Sequence, residues 1–117
     1  MNATRRHNAL TEPTLMILLA LWSKPLHGYG IRRTVRALSR GRILLGNGTV
    51  YETLPRLEQV GWIHAVEDTE PGHGHRERHL YELTETGREA LREEHARLST
   101  ICRLMAETGI TEPPATS

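Results

Sequence analysis

Between residues 11 and 107 the apolar positions fall into four stretches with helical spacing and two short runs with β character. Thr11 precedes Glu12 and Pro13, and residues 15–22 are then uniformly apolar. A capping side chain, a first-turn proline and an all-round apolar run predict a helix over residues 12–23, buried on more than one side and stopping before Pro25. At about 100° per residue from Ile31, Val35 falls near 40° and Leu38 near −20°, while Arg32, Arg33, Arg36 and Arg40 lie between about 100° and 200°. This predicts a second helix over residues 27–39 with an arginine outer face, closed by Gly41. Val50, Leu54 and Leu57 repeat the pattern in a third helix over residues 47–60, with Thr49, Glu52, Arg56 and Gln59 opposite and Gly61 as its stop. Residues 62–67 and 78–83 flank the turn-forming TEPGHGHRE and predict a hairpin with a long tip. Thr84 caps a final helix to residue 107, where Leu91, Leu98 and Met105 recur every seven residues beside Ala90, Ile101, Cys102 and Leu104.

Three helices, a hairpin and a long helix make a mainly α fold with a small β-hairpin. The order is that of a winged helix-turn-helix over residues 11–83 with a C-terminal dimerisation helix over residues 84–107. Residues 1–10 and 109–117 read as flexible ends. The last helix is longer than so small a core can cover. Its stripe of Leu91, Leu98, Ile101, Cys102 and Met105 therefore predicts a homodimer.

At 117 residues the chain supports one core, and with no Phe that core must be aliphatic. Phosphate-gripping glycine loops, nucleophile elbows, zinc-protease motifs and paired-carboxylate motifs are all missing, so neither enzyme chemistry nor a cofactor is expected. The single cysteine excludes an intrachain disulfide and a thiolate metal cluster, and fits the cytoplasm. The longest apolar run is too short for a membrane span, and no small-residue cleavage site follows it.

Charge is unevenly distributed. Residues 1–46 hold eight Lys/Arg and one Glu, whereas the rest of the chain is net acidic. Such clustering marks a polyanion site, and a solvated helix surface is the other reading of the same arginines. Arg32, Arg33 and Arg36 are candidates for phosphate contact. Arg56 is a candidate for a forked pair with guanine, and Glu52 either accepts from cytosine N4 or repels phosphate. At the hairpin tip, His73, His75 and His79 invite a metal reading, but His75 and His79 stand roughly 13 Å apart on an extended strand, too far to share an ion. No metal ion is therefore expected there, and His75, Arg76 and Arg78 read as a basic wing tip on DNA. Cys102 reads as a small apolar group or a redox thiol, and Trp22 and Trp62 as packing or as a platform for a flat ligand.

Four segments resemble the PadR family of transcriptional regulators in its short form with one C-terminal helix. They are LMILLAL at 15–21, HGYGI at 27–31, GTVYETLPRLEQVGWI at 48–63 and RERHLYELTETG at 76–87. The resemblance implies a homodimeric repressor, released by a chemical signal, that sets its third helix in the major groove and its wing against the flanking backbone. It also implies that Tyr51 contacts phosphate with Asn47 and Thr49 nearby, and that HGYGI opens the supporting helix. The chain departs from the family pattern at Glu52, where Pro commonly follows the Tyr, and carries Pro55 instead. Pro55 has no N–H for the carbonyl of Tyr51 and is expected to kink the reading helix or delay its start. The expected partners are double-stranded DNA, a second copy and a small-molecule effector, with no membrane. Two other readings stand beside this one: a ligand- or metal-responsive sensor using the His-rich tip or the dimer interface, and a winged-helix adaptor that binds protein without nucleic acid.

Overall fold

The computed structural model describes residues 9–68 and 79–110. The helices are α1 (Glu12–Ala20), α2 (Gly28–Leu38), α3 (Asn47–Gln59) and α4 (Glu85–Glu107), with β1 (Ile63–Glu67) and β2 (His79–Leu83) between the last two. The winged helix-turn-helix expected from the apolar spacing is therefore the observed fold.

α1 starts as predicted, with the Thr11 hydroxyl accepting from the Thr14 N–H and Pro13 in the first turn. It ends three residues earlier than expected. The Leu21 N–H is shared between the Ile17 and Leu18 carbonyls at 3.2 and 3.1 Å, and the Trp22 N–H bonds to Leu19 at 3.1 Å. This tightened turn redirects the chain into an element that the periodicity did not reveal. Leu26 and Tyr81 exchange backbone hydrogen bonds of 3.1 and 2.8 Å, so a single residue pairs with β2 outside the hairpin. The hairpin itself is antiparallel, with Ile63 opposite Leu83, and both of these side chains are buried.

The core collects the inward stripes. Met16, Ile17, Leu18, Ala20 and Leu21 meet Ile31 and Val35 of α2, Val50, Leu54 and Leu57 of α3, and Ile63, Leu83 and Leu91. Leu10, expected in a flexible end, packs against this cluster. Leu38, expected on the inner stripe, is exposed because α2 ends there, beyond the reach of the core.

Pro55 lies inside α3, and the helix still begins at Asn47, so the expected delay does not occur. Pro55 faces outward, and the buried stripe of Val50, Leu54 and Leu57 continues on the opposite side of the helix. α2 was expected to close on Gly41, but the left-handed residue that stops it is Arg40, at φ 55°. The Gly41 N–H reaches back to Arg36 at 2.8 Å and the Arg40 N–H to Ala37 at 3.1 Å. The ends of α3 and α4 show the same two-bond arrangement, with Gly61 and Gly109 in the position that Arg40 fills.

The long helix is tied to the end of α3 by a short polar knot. The Thr84 hydroxyl accepts from the Gly87 N–H at 3.0 Å and donates to the Gly61 carbonyl at 2.6 Å, while the Thr84 N–H donates to Trp62 at 3.0 Å. Gly87 sits so close to this turn that a Cβ there would strike the Trp62 carbonyl oxygen. Further along α4, the buried Glu94 carboxylate grips Arg97 through two hydrogen bonds of 3.0 and 2.7 Å. That hydrogen bonding, aided by the Glu94 charge, raises the Arg97 pKa against the opposing effect of desolvation.

Two stability outcomes are expected. Gly87→Ala lowers the unfolding free energy by about 3 kcal/mol, since the obstructing atom is backbone and α4 must move away. Arg40→Gly raises it by about 1 kcal/mol by relieving the left-handed conformation. Urea unfolding of each variant, followed by circular dichroism, checks both signs.

Candidate nucleic-acid interface

Hydrogen bonding at the helix N-termini separates the four helices into two pairs. α1 and α4 are capped by the side chains of Thr11 and Thr84. α2 and α3 begin at His27 and Gly46, and among the described residues neither has a side-chain cap. Their first-turn N–H groups, at the positive ends of the helix dipoles, are the kind of donors that anions take.

Tyr51 brings these two ends together. A Cβ built on Gly28 would lie 2.5 Å from the Tyr51 hydroxyl and 2.8 Å from the ring carbon bearing it, so the phenol of α3 occupies the space a side chain would need at the first residue of α2. Tyr51 remains 45% exposed, which leaves its outer edge open to solvent. Glu52 is exposed beside it, as is Asn47 at the helix start, and Thr49 is half-buried. The Thr53 hydroxyl, one turn further on, is buried and donates to the Thr49 carbonyl at 2.7 Å.

The arginines divide by task. The Arg32 Nε donates to the Leu45 carbonyl at 3.1 Å, so this half-buried side chain holds the loop that delivers α3. That tie has no signature in helical periodicity, which grouped Arg32 with the outer face. Arg33 lies 5.7 Å from the Tyr29 ring centre and is exposed, as is Arg36. Arg56 is exposed on the polar side of α3, as expected, and also lines a cleft of about 450 Å³ between α1, α3 and α4, together with Leu10, Thr14, Leu57, Val60, Trp62, Ala90 and Glu93. His75, Arg76 and Arg78, with His73, lie outside the described residues.

Sequence reasoning also missed what His27 does. Its ring reaches across to the hairpin, with Nδ1 3.0 Å from the His79 carbonyl and Nε2 2.7 Å from Asp68 Oδ2. Nothing in the local pattern distinguishes this histidine, because its partners are more than forty residues away.

On the long helix, Leu91 is buried in its own chain's core, Leu98 is half-buried, and Ile101, Cys102, Leu104 and Met105 are exposed. The reading of Cys102 as a small buried group is thus not met within one protomer. A second exposed apolar stretch comprises Leu19 and Trp22. Trp22 is flanked by α4, with Arg88 4.7 Å and Arg92 5.6 Å from its ring centre. Among the described residues no group of three or more His, Cys, Asp or Glu is placed to hold a metal ion, and no helix is long and apolar enough to cross a membrane.

Comparison with solved structures gives the same architecture. A PadR family transcription regulator from hypervirulent Clostridium difficile is 24% identical, with a TM-score of 0.70 over 84% of this chain and 98% of that one. A PadR-like transcriptional regulator from Bacillus cereus is 16% identical, with a TM-score of 0.69 over 83% of this chain and 90% of that one. Bacillus subtilis PadR, solved in complex with operator DNA, is 21% identical, with a TM-score of 0.63 over 74% of this chain and 47% of that one. A comparison with curated protein sequences gives no match. The sequence itself matches the Transcriptional regulator PadR-like family over residues 17–93, most of the ordered fold including the α2–α3 pair and both strands. The chain accordingly belongs to the PadR-like family, whose members are transcriptional regulators and not enzymes.

Proposed function

We propose that the protein is a repressor that binds an inverted-repeat operator in double-stranded DNA as a homodimer and releases it in response to a small molecule. The observation that carries this reading is the pair of helix N-termini without side-chain caps, joined through Tyr51, in the arginine-rich part of the chain. Phosphates seated there take the first-turn N–H groups and the Tyr51 hydroxyl, while Asn47, Thr49 and Glu52 address base edges in the major groove. Arg33 and Arg36 serve flanking phosphates, and His75, Arg76 and Arg78 are assigned to the backbone beside the wing. The operator complex of the Bacillus subtilis relative supports this use of the fold. Work on genomic DNA makes the cytoplasm the place of action.

The exposed end of α4 supports the dimer. Its last turns present Ile101, Leu104 and Met105 at 37%, 52% and 42% exposure, more apolar surface than a lone helix end keeps in water. Cys102 lies in the same patch, Leu98 borders it, and Leu91 anchors the helix to its own domain. The cleft beside Arg56 is the space assigned to the effector, because a ligand there touches α3 directly.

Purified protein is expected to select genomic fragments with inverted half-sites about one helical turn apart, roughly 34 to 36 Å. Selected fragments without two-fold order would overturn the inverted-repeat operator, and the lack of any salt-dependent binding to duplex DNA would turn the reading toward the adaptor alternative. Tyr51→Ala should weaken operator and random DNA alike, by about tenfold. Glu52→Ala separates the two roles open to that residue: losing about 1–3 kcal/mol of discrimination at one base pair marks a base contact, and a uniform gain marks phosphate repulsion. Leu104→Glu should give a monomer in sedimentation with the thermal midpoint of the winged domain retained, since the residue touches solvent in the single chain.

A further inference from the structure

His27 occupies the N-cap position of α2, yet its ring does not cap that helix. The imidazole is committed to the hairpin, on two residues that bracket the segment 69–78. Asp68 directly follows β1 and His79 opens β2, so the two contacts lie where the chain leaves the hairpin and where it re-enters. The side chains are 16% exposed for His27 and 3% for Asp68.

Both ring nitrogens face oxygen acceptors. A backbone carbonyl only accepts, so the 3.0 Å contact to His79 requires a proton on Nδ1. An ionised carboxylate also only accepts, so the 2.7 Å contact to Asp68 requires one on Nε2. One ring meets both demands only as the imidazolium. We propose that His27 is a positioning residue: its doubly protonated ring pins both ends of the wing to the start of α2, and so sets where the wing meets DNA. The proposal rests on the DNA-binding reading above for its consequence, though not for the pin itself.

Among the described residues, the groups around the pin come from four elements. Asp68, at the end of β1, supplies the opposing charge, and Glu67 beside it is exposed. From β2 the contact is the His79 carbonyl, with the His79 side chain outward. From α3 comes the Tyr51 phenol over Gly28. On α2, Arg32 is tied to Leu45 and Arg33 lies beside Tyr29. Raising the pH removes one ring proton, and a neutral ring that keeps its bond to His79 turns a lone pair toward the carboxylate. The pin therefore needs both ring N–H protons.

Asp68→Asn provides the decisive variant. A carboxamide N–H donates to a neutral Nε2, so both contacts survive without the second proton. The test uses the full chain in a His64→Ala, His73→Ala, His75→Ala, His79→Ala background, which removes the other hairpin imidazoles, including the His64 that pairs with Glu82. Nitrogen-15 NMR of the free protein follows the His27 ring, and binding to a selected operator fragment is measured from about pH 5.5 to about pH 8.5, the range in which imidazoles lose their proton. The expected result is an imidazolium with both N–H protons retained at low pH, and operator affinity falling about tenfold across the range. Asp68→Asn should hold affinity within about twofold throughout, and His27→Ala should bind at low pH as the parent does at high pH. A His27 ring that is neutral at the lowest pH overturns the proposal. So does an Asp68→Asn variant that tracks the parent, or operator affinity that ignores the loss of the imidazolium. If no form binds DNA at any pH, the DNA-binding reading and the assigned positioning role both fail, while the NMR arm still decides whether the pin exists.

Discussion

The approach of the Tyr51 ring to Gly28 is the contact on which the relative placement of α2 and α3 depends. It sets the start of α2 against the first turns of α3 at a distance that only a residue without a side chain permits. Next to Gly28 stands His27, which reaches the wing in the opposite direction. Two consecutive residues therefore fix α2, α3 and the hairpin to a common origin. Either part of this arrangement is easy to overlook, because neither contributes to the apolar core that stabilises the domain.

Stability and recognition are otherwise kept in separate regions. The inward stripes of α1, α2 and α3 are aliphatic and fully packed, and the Thr84 knot adds the first turns of α4 to the same body. The proposed recognition surface uses backbone donors at helix starts and side chains that reach out from this packed base. Arg32 belongs to both regions, since its guanidinium holds the Leu45 carbonyl while lying on the basic helix. Removing its charge would disturb the delivery of α3 as well as the local field, so the two effects are inseparable in a simple deletion.

Most of the architecture was legible because α1 is an unbroken apolar run and the later helices carry apolar residues at helical spacing, as Ile31 with Val35 and Val50 with Leu54 and Leu57 show. Features settled by single contacts were not. The early end of α1 depends on where Leu26 pairs with Tyr81, and one residue has no period. Arg40 precedes Gly41 into the left-handed region, where both residues lie, so the helix stop falls one residue earlier than the glycine marks. Arg56 lies on the polar side of its helical wheel, as expected, but the approach of α1 and α4 turns that flank into a cleft wall. Tyr51 was singled out through family resemblance, whereas its partner Gly28 gave no separate signal. The His27 contacts arise from tertiary structure alone.

The chain has two tryptophans and no phenylalanine, and the two indoles occupy different environments. Trp62 is half-buried on the wall of the cleft beside Arg56. Trp22 sits under two guanidinium groups where the turn after α1 meets α4. Their near-ultraviolet emission consequently separates two events without an added dye. A molecule entering the cleft changes the polarity around one indole, and a displacement of the long helix uncovers or re-stacks the other, so single-tryptophan versions of this chain are built-in optical sensors for each motion.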